Sequence, residues 1–125
     1  ITTIIADFAN KSVTNVYMAN QTVAPATLTS AATTTTDAAL SNTFELLLAN
    51  NTTLAFPTNL TDGMVLTWLV LINGTGGYTW AFHANFVPIG GTPTTPNLVA
   101  NKFSTIVGVY RSATGKIYYT IAKEA

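Results

Sequence analysis

Hydrophobic and polar residues alternate with a period of two in several short segments, and this pattern predicts β-strands. The alternation is clearest over Tyr78–Phe86, Phe103–Tyr110 and Lys116–Ala122. Phe44–Ala49 and Thr53–Phe56 show the same pattern on either side of the turn sequence "NNTT". No window carries a sustained apolar stripe at helical spacing, so we expect an all-β fold with almost no helix.

The longest apolar run, "MVLTWLVLI" over Met64–Ile72, is hydrophobic at both odd and even positions. We therefore expect a central strand that is covered on both sides, by the core on one and, as one option, by a partner on the other. Tryptophans, phenylalanines and a leucine at alternating positions make up the expected core: Trp68, Trp80, Phe44, Leu46 and Phe82.

Turn-forming residues separate the strand segments at short intervals, which is typical of a sandwich or a barrel. The sequence predicts an antiparallel β-sandwich, jelly-roll-like, with an extended N-terminal arm. Asn73–Gly77, "NGTGG", is interpreted as the tip of a hairpin, because its Asn-Gly and Gly-Gly pairs suit positive φ angles. The other breaks are Pro57–Gly63, Pro88–Pro96 and Arg111–Lys116.

The first forty residues are rich in Thr and Ala and differ from the rest of the chain. We divide the chain into an N-terminal arm and connection, residues 1–41, and a β-sandwich domain, residues 42–125. Two or three strands are expected within Ile1–Leu28, and a flexible connection over Ser30–Ala39. The large apolar side chains of the arm must be buried against something, so we predict intersubunit contacts for Ile4, Ile5, Phe8, Val13, Val16 and Tyr17.

The amino-acid composition limits the classes of partner that the chain is expected to bind. Only 8% of the residues are charged and the formal net charge is zero, so the chain lacks the basic surface that nucleic acid or an anionic membrane attracts. Low charge also gives little repulsion between copies and favours association. We expect a homo-oligomer. The chain has no cysteine, which excludes disulfides and thiol chemistry.

Few residues in the sequence suit catalysis or metal binding. His83 is the only histidine, and with no cysteine it has no companions for a zinc site. The "NGTGG" turn runs from one strand pattern into another, whereas an anion-binding loop leads into a helix. Spacing leaves a pair of acids such as Glu45 and Asp62 open for glycoside hydrolysis. We expect no catalytic residue, no metal, no cofactor and no enzymatic activity.

The aromatic residues leave one alternative open. Trp68, Trp80, Tyr78 and Tyr119 suit core packing at alternating strand positions, but exposed aromatics can also stack on sugars. The tyrosines, Tyr110 and Tyr118 among them, are the residues most expected to be exposed.

From Thr43 to Ala122 the chain resembles a β-domain that recurs in virion proteins of tailed bacteriophages, including capsid decoration proteins, head fibres and tail-fibre tips. The motifs that carry the resemblance are "NTTLAFPTNLTDG", "GTGGYTWAF", "GGTPTTP", "ANKFSTIVGVY" and "GKIYYTIA", in this order and spacing. Together they cover about two thirds of the chain, and the arm before Asn42 has no such match.

The resemblance implies a trimeric or otherwise multimeric, non-enzymatic structural module on a virion surface, with a trimer as the favoured state. It implies other virion proteins, such as the major capsid protein, as partners. The expected function is decoration or cementing of the capsid through oligomeric contacts. The alternative is a tail-fibre or spike module that binds host surface glycans.

Overall fold

The computed structural model describes residues 18–20 and 22–125, and within them the chain forms strands and no helix. The expectation of an all-β fold is confirmed for this part of the chain. The strands are β1 Ala26–Thr27, β2 Thr33–Thr34, β3 Thr43–Leu48, β4 Thr52–Leu54, β5 Val65–Ile72, β6 Trp80–Phe82, β7 Phe86–Pro88, β8 Phe103–Arg111 and β9 Lys116–Lys123.

The strands form two sheets, and the chain passes back and forth between them. The larger sheet has six strands in the order β1-β3-β5-β8-β9-β7, and the smaller has three in the order β2-β4-β6. From β1 to β7, each strand lies in the opposite sheet from the strand before it. The neighbours β1–β3, β3–β5, β2–β4 and β4–β6 are therefore each joined through the other sheet, which lets them run parallel.

The expected antiparallel arrangement is wrong for most strand pairs. Only β5–β8 and β8–β9 are antiparallel. The pairs β1–β3, β3–β5 and β7–β9 of the six-stranded sheet are parallel, as are both pairs of the three-stranded sheet. The larger sheet is thus mixed, and the smaller is parallel.

The "NGTGG" segment is not a hairpin tip, because β5 and β6 on either side of it lie in different sheets. Asn73 organises the turn: its Oδ1 accepts hydrogen bonds from the Thr75 and Gly76 amides and from the Tyr78 hydroxyl, at 3.0, 3.1 and 2.9 Å. Gly76 and Gly77 have the expected positive φ, but Asn73 and Gly74 do not. The turn redirects the chain from one sheet to the other.

Both sheets contribute side chains to a single buried cluster. The aromatic ring of Phe82 in β6 stacks on that of Tyr119 in β9, with centroids 4.3 Å apart. Trp68, at the centre of β5, is fully buried and contacts Phe44 and Phe86. The core predictions for Phe44, Leu46, Trp68 and Trp80 are confirmed, and Phe82 is partly buried against the same cluster.

Residues 30–39, expected to be a flexible connection, contain β2 and contribute to the interior. Thr34 and Thr36 are buried, and Ala38 belongs to the core. The Thr34 and Thr52 hydroxyls lie 2.7 Å apart in a buried hydrogen bond. Thr36 Oγ1 accepts a hydrogen bond from Trp68 Nε1 at 3.1 Å. Small side chains therefore serve here as partners for a large core residue.

Candidate interaction surface

The feature that distinguishes this molecule is the outward side of its six-stranded sheet. Along β3, β5, β8 and β9 burial alternates, so one set of side chains enters the core and the other points away from it. We call this second side the outer face. An antiparallel or mixed sheet with one solvated side usually carries polar residues there. Here the outer face includes Leu47, Val65, Leu69, Leu71, Phe103, Val107 and Val109.

Strand register brings these side chains together. Leu47 of β3 pairs with Leu71 of β5, which pairs in turn with Phe103 of β8. These three side chains remain 57%, 43% and 39% exposed, respectively. At the opposite end of the same strands, Val65 pairs with Val109. The result is an apolar band that crosses three neighbouring strands.

Two hollows interrupt the outer face, and Phe103 lines both of them. The larger, about 310 Å³, lies between the edge strand β1 and β8, and its walls include Thr27, Glu45, Leu47 and Leu71. The smaller, about 270 Å³, lies over β8 and β9 beside Ala122. Both are open depressions on a sheet surface.

Charged groups lie mainly at the border of the outer face. Glu45 accepts a hydrogen bond from Thr27 Oγ1 at 2.8 Å next to the larger hollow. At the far end, Arg111 Nε lies 3.2 Å from Asp62 Oδ1, with both side chains about half exposed. The backbone N–H of Ser112 and the Arg111 side chain hold the pKa of Asp62 below its ordinary value of 3.8. An exposed pair of this kind contributes little stability.

The residues considered for catalysis or metal binding, His83, Glu45 and Asp62, are not brought together in one site. His83 is exposed, as expected; its Nδ1 accepts a hydrogen bond from the Asn85 amide, and its ring contacts Phe56. Glu45 and Asp62 have separate hydrogen-bond partners, Thr27 for the first and Arg111 with Ser112 for the second. Among the described residues, no group of three or more His, Cys, Asp or Glu side chains is placed to hold a metal ion.

The aromatic residues are used mostly in the interior. Both tryptophans and Tyr119 are buried, and burial raises the pKa of the Tyr119 hydroxyl above its ordinary value. Tyr110 packs against the core with part of its ring exposed, and Tyr118 donates a hydrogen bond to Thr114 Oγ1 at 3.0 Å. Both tryptophans are therefore enclosed, whereas Tyr78, Tyr110 and Tyr118 remain partly exposed.

The predicted intersubunit residues Ile4, Ile5, Phe8, Val13, Val16 and Tyr17 lie outside the described residues. The outer face, which sequence reasoning did not single out, is instead the prominent apolar surface. One signal pointed to it: the both-sided hydrophobicity of Met64–Ile72, which places Leu69 and Leu71 outward.

Within residues 18–20 and 22–125, no helix is long and apolar enough to cross a membrane. Comparisons with protein-family models, with curated proteins and with solved structures find no match for this chain. The resemblance to virion β-domains stays a prediction.

Proposed function

We propose that this chain is a non-enzymatic structural protein that works by assembling with other protein subunits, and that the outer face of its six-stranded sheet is the surface through which it assembles. The observation that carries the proposal is the row Leu47–Leu71–Phe103, three large apolar side chains exposed side by side. Contiguous apolar surface of this kind on a folded domain is typical of an interaction site.

The packing of the two sheets supports a rigid module. We infer that they form a sandwich, since Phe82 of the smaller sheet stacks on Tyr119 of the larger one. Every edge strand is short, with two residues in β1 and β2 and three in β6 and β7. Short edges discourage strand addition. The sheet face, more than its edges, is thus the surface available for assembly.

A bacteriophage virion is the setting we propose, with decoration or cementing of the capsid as the role. This part rests on the motif resemblance over Thr43–Ala122 and on the low charge of the chain. A homo-oligomer, with a trimer as the favoured state, is part of the proposal. The glycan-binding alternative gains nothing from the enclosed tryptophans.

The test of the assembly surface compares two single aspartate substitutions in the full chain. Leu71→Asp places a charge in the middle of the row Leu47–Leu71–Phe103, while Thr94→Asp places the same charge on an exposed loop. We expect light scattering to give a smaller particle mass for Leu71→Asp alone, with circular dichroism showing both variants folded. An unchanged mass for a folded Leu71→Asp protein would refute this surface.

The virion setting needs its own experiment. Antibodies raised against the purified protein, detected by immunogold electron microscopy on phage particles whose genome encodes this sequence, should label the capsid. Label at fibre tips would favour the receptor-binding alternative. Particles without label would contradict a virion location.

A further inference from the structure

We propose that the larger hollow of the outer face binds the N-terminal segment, residues 1–17, of a neighbouring copy of this chain. This inference rests on the proposed function, because it names the partner of the same surface. The proposed occupant of the hollow is a segment of the protein itself, and four observations support it.

The first observation is position. The described chain enters the six-stranded sheet through β1, an edge strand beside β3. Thr27 of β1 forms one wall of the larger hollow. The segment therefore joins the sheet through the short run of residues 18–25, which leads into β1 at the margin of the hollow. A segment on so short a lead is held near an equivalent hollow whenever two copies meet.

The second observation is length. Seventeen residues can span about 55 Å when extended, whereas the eight residues of β5 cover about 26 Å. The segment is thus long enough to leave one copy and cross the outer face of the next.

The third observation is chemical complementarity. The segment is rich in large apolar side chains, including Ile4, Phe8 and Val13, and it carries one cation, Lys11. The hollow has apolar walls, Leu47 and Leu71 among them, and one acid, Glu45. Glu45 is exposed, and among the described residues its carboxylate accepts a hydrogen bond from a neutral hydroxyl, Thr27 Oγ1, so it can accept a charged partner as well. Lys11 is the cation that the segment offers to it.

The fourth observation favours a neighbouring copy over the same chain. Met18, the first described residue, is 95% exposed, and Val23 also has more than half of its surface exposed. The described residues that lead from the segment to β1 are therefore exposed. A segment joined through such an exposed lead is suited to exchange between subunits.

Disulfide trapping can test this directly because the chain has no cysteine. One full-length protein receives a single cysteine in the segment, as Ile4→Cys, Phe8→Cys or Val13→Cys in turn. A second, distinguished by an affinity tag, receives Leu71→Cys. After mixing and mild oxidation, we expect a mixed disulfide-linked dimer with at least one segment position. Ala113→Cys, on the β8–β9 turn at the other end of β8 from Phe103, is the matched control and should give none.

The outcomes separate the two proposals. Placing both cysteines in one chain and finding only an internal link would show that the segment covers its own sheet, which overturns the inference. No link at any of the three positions, together with a reduced mass for Leu71→Asp, would overturn it while leaving the outer face as the assembly surface. An unchanged mass for Leu71→Asp would instead refute the proposed function.

A charge exchange tests the assigned pairing. Lys11→Glu and Glu45→Lys should each weaken association about five-fold, and the double variant should recover most of the loss. Single reversals without effect, or a double variant no better than either, would refute a Lys11–Glu45 contact and with it the assigned placement of the segment.

Discussion

The inner and outer faces of the six-stranded sheet are built from alternate residues of the same strands, but they differ in what covers them. On the inner face, Phe44, Trp68 and Ile106 are fully buried beneath the three-stranded sheet and its connections. On the outer face, Leu71 and Phe103 are similar in character and remain substantially exposed. Both faces carry large apolar side chains, but the outer face mixes them with polar residues such as Glu45, Thr67 and Thr105, and only the inner face is fully buried.

The difference in burial between the two faces indicates which of them is the candidate functional surface. Burial of the inner face is explained within one chain, because β4 and β6 supply Leu54, Trp80 and Phe82 to the shared core. Within residues 18–20 and 22–125, no segment buries the large apolar residues of the outer face. Apolar area left in water forgoes about 25 cal/mol per Å². An additional protein surface over the outer face would remove that exposure.

The largest difference between the faces is expected for truncation of a large side chain. Trp68→Ala should destabilise the fold by about 3–5 kcal/mol, because it empties the space beside Phe44 and leaves the Thr36 hydroxyl without its partner. Leu71→Ala on the outer face should cost about 1 kcal/mol or less in the dissociated subunit. Urea unfolding of both variants measures this, and similar losses for the two would contradict the assignment of the faces.

Enlarging a small residue should separate the faces by a smaller amount. A Cβ on Gly108, which points into the core from β8, would lie 2.5 Å from Ile117 Cγ2. Gly108→Ala should therefore cost about 1–3 kcal/mol. Ala122→Val is the matched change on the outer face, where the side chain is exposed, and should leave unfolding nearly unchanged. If thermal melting ranks Ala122→Val as the more damaging change, the inner face is not filled as described.

The smallest effect is expected at the charged border of the outer face. The pKa of Asp62 is lowered by the Ser112 amide and Arg111, so its ionised form favours the folded state. This contribution is present above the ordinary pKa of 3.8 and is lost as the pH falls through the lowered, folded-state value. Asp62→Asn should melt slightly below the parent protein at pH 7, and the two melting temperatures should converge in strong acid. A gap that widens in acid would contradict the sign.

The sequence was sufficient to predict strands, the central position of Met64–Ile72 and most of the core. Period-two alternation and turn residues are local signals, and they located β3, β5, β8 and β9 well. Strand partners are not local. Because nothing within Asn73–Gly77 says which sheet receives the next strand, a turn between two sheets was interpreted as a hairpin.

Which side of a strand faces inward was also beyond local reasoning. In β8 the outward positions carry Phe103, Val107 and Val109, while the inward ones include Ser104 and Gly108. The more hydrophobic side is therefore the exposed one. Ser104 is buried because its hydroxyl accepts a hydrogen bond from the Asn97 amide, and Gly108 because Ile117 occupies the space of a side chain. Both reasons depend on contacts with residues outside β8, which the local pattern of the strand does not contain.

Thiol labelling of the assembled protein is the most direct test of whether another subunit covers the outer face. In the cysteine-free chain, Leu71→Cys reports on the outer face and Thr94→Cys on an exposed loop. Labelling rates are compared at a concentration where the protein is assembled and again after dilution to single subunits. If another subunit covers the outer face, Leu71→Cys reacts much more slowly in the assembly than after dilution, while Thr94→Cys reacts equally fast in both states. Equal rates for Leu71→Cys in the two states would contradict such coverage.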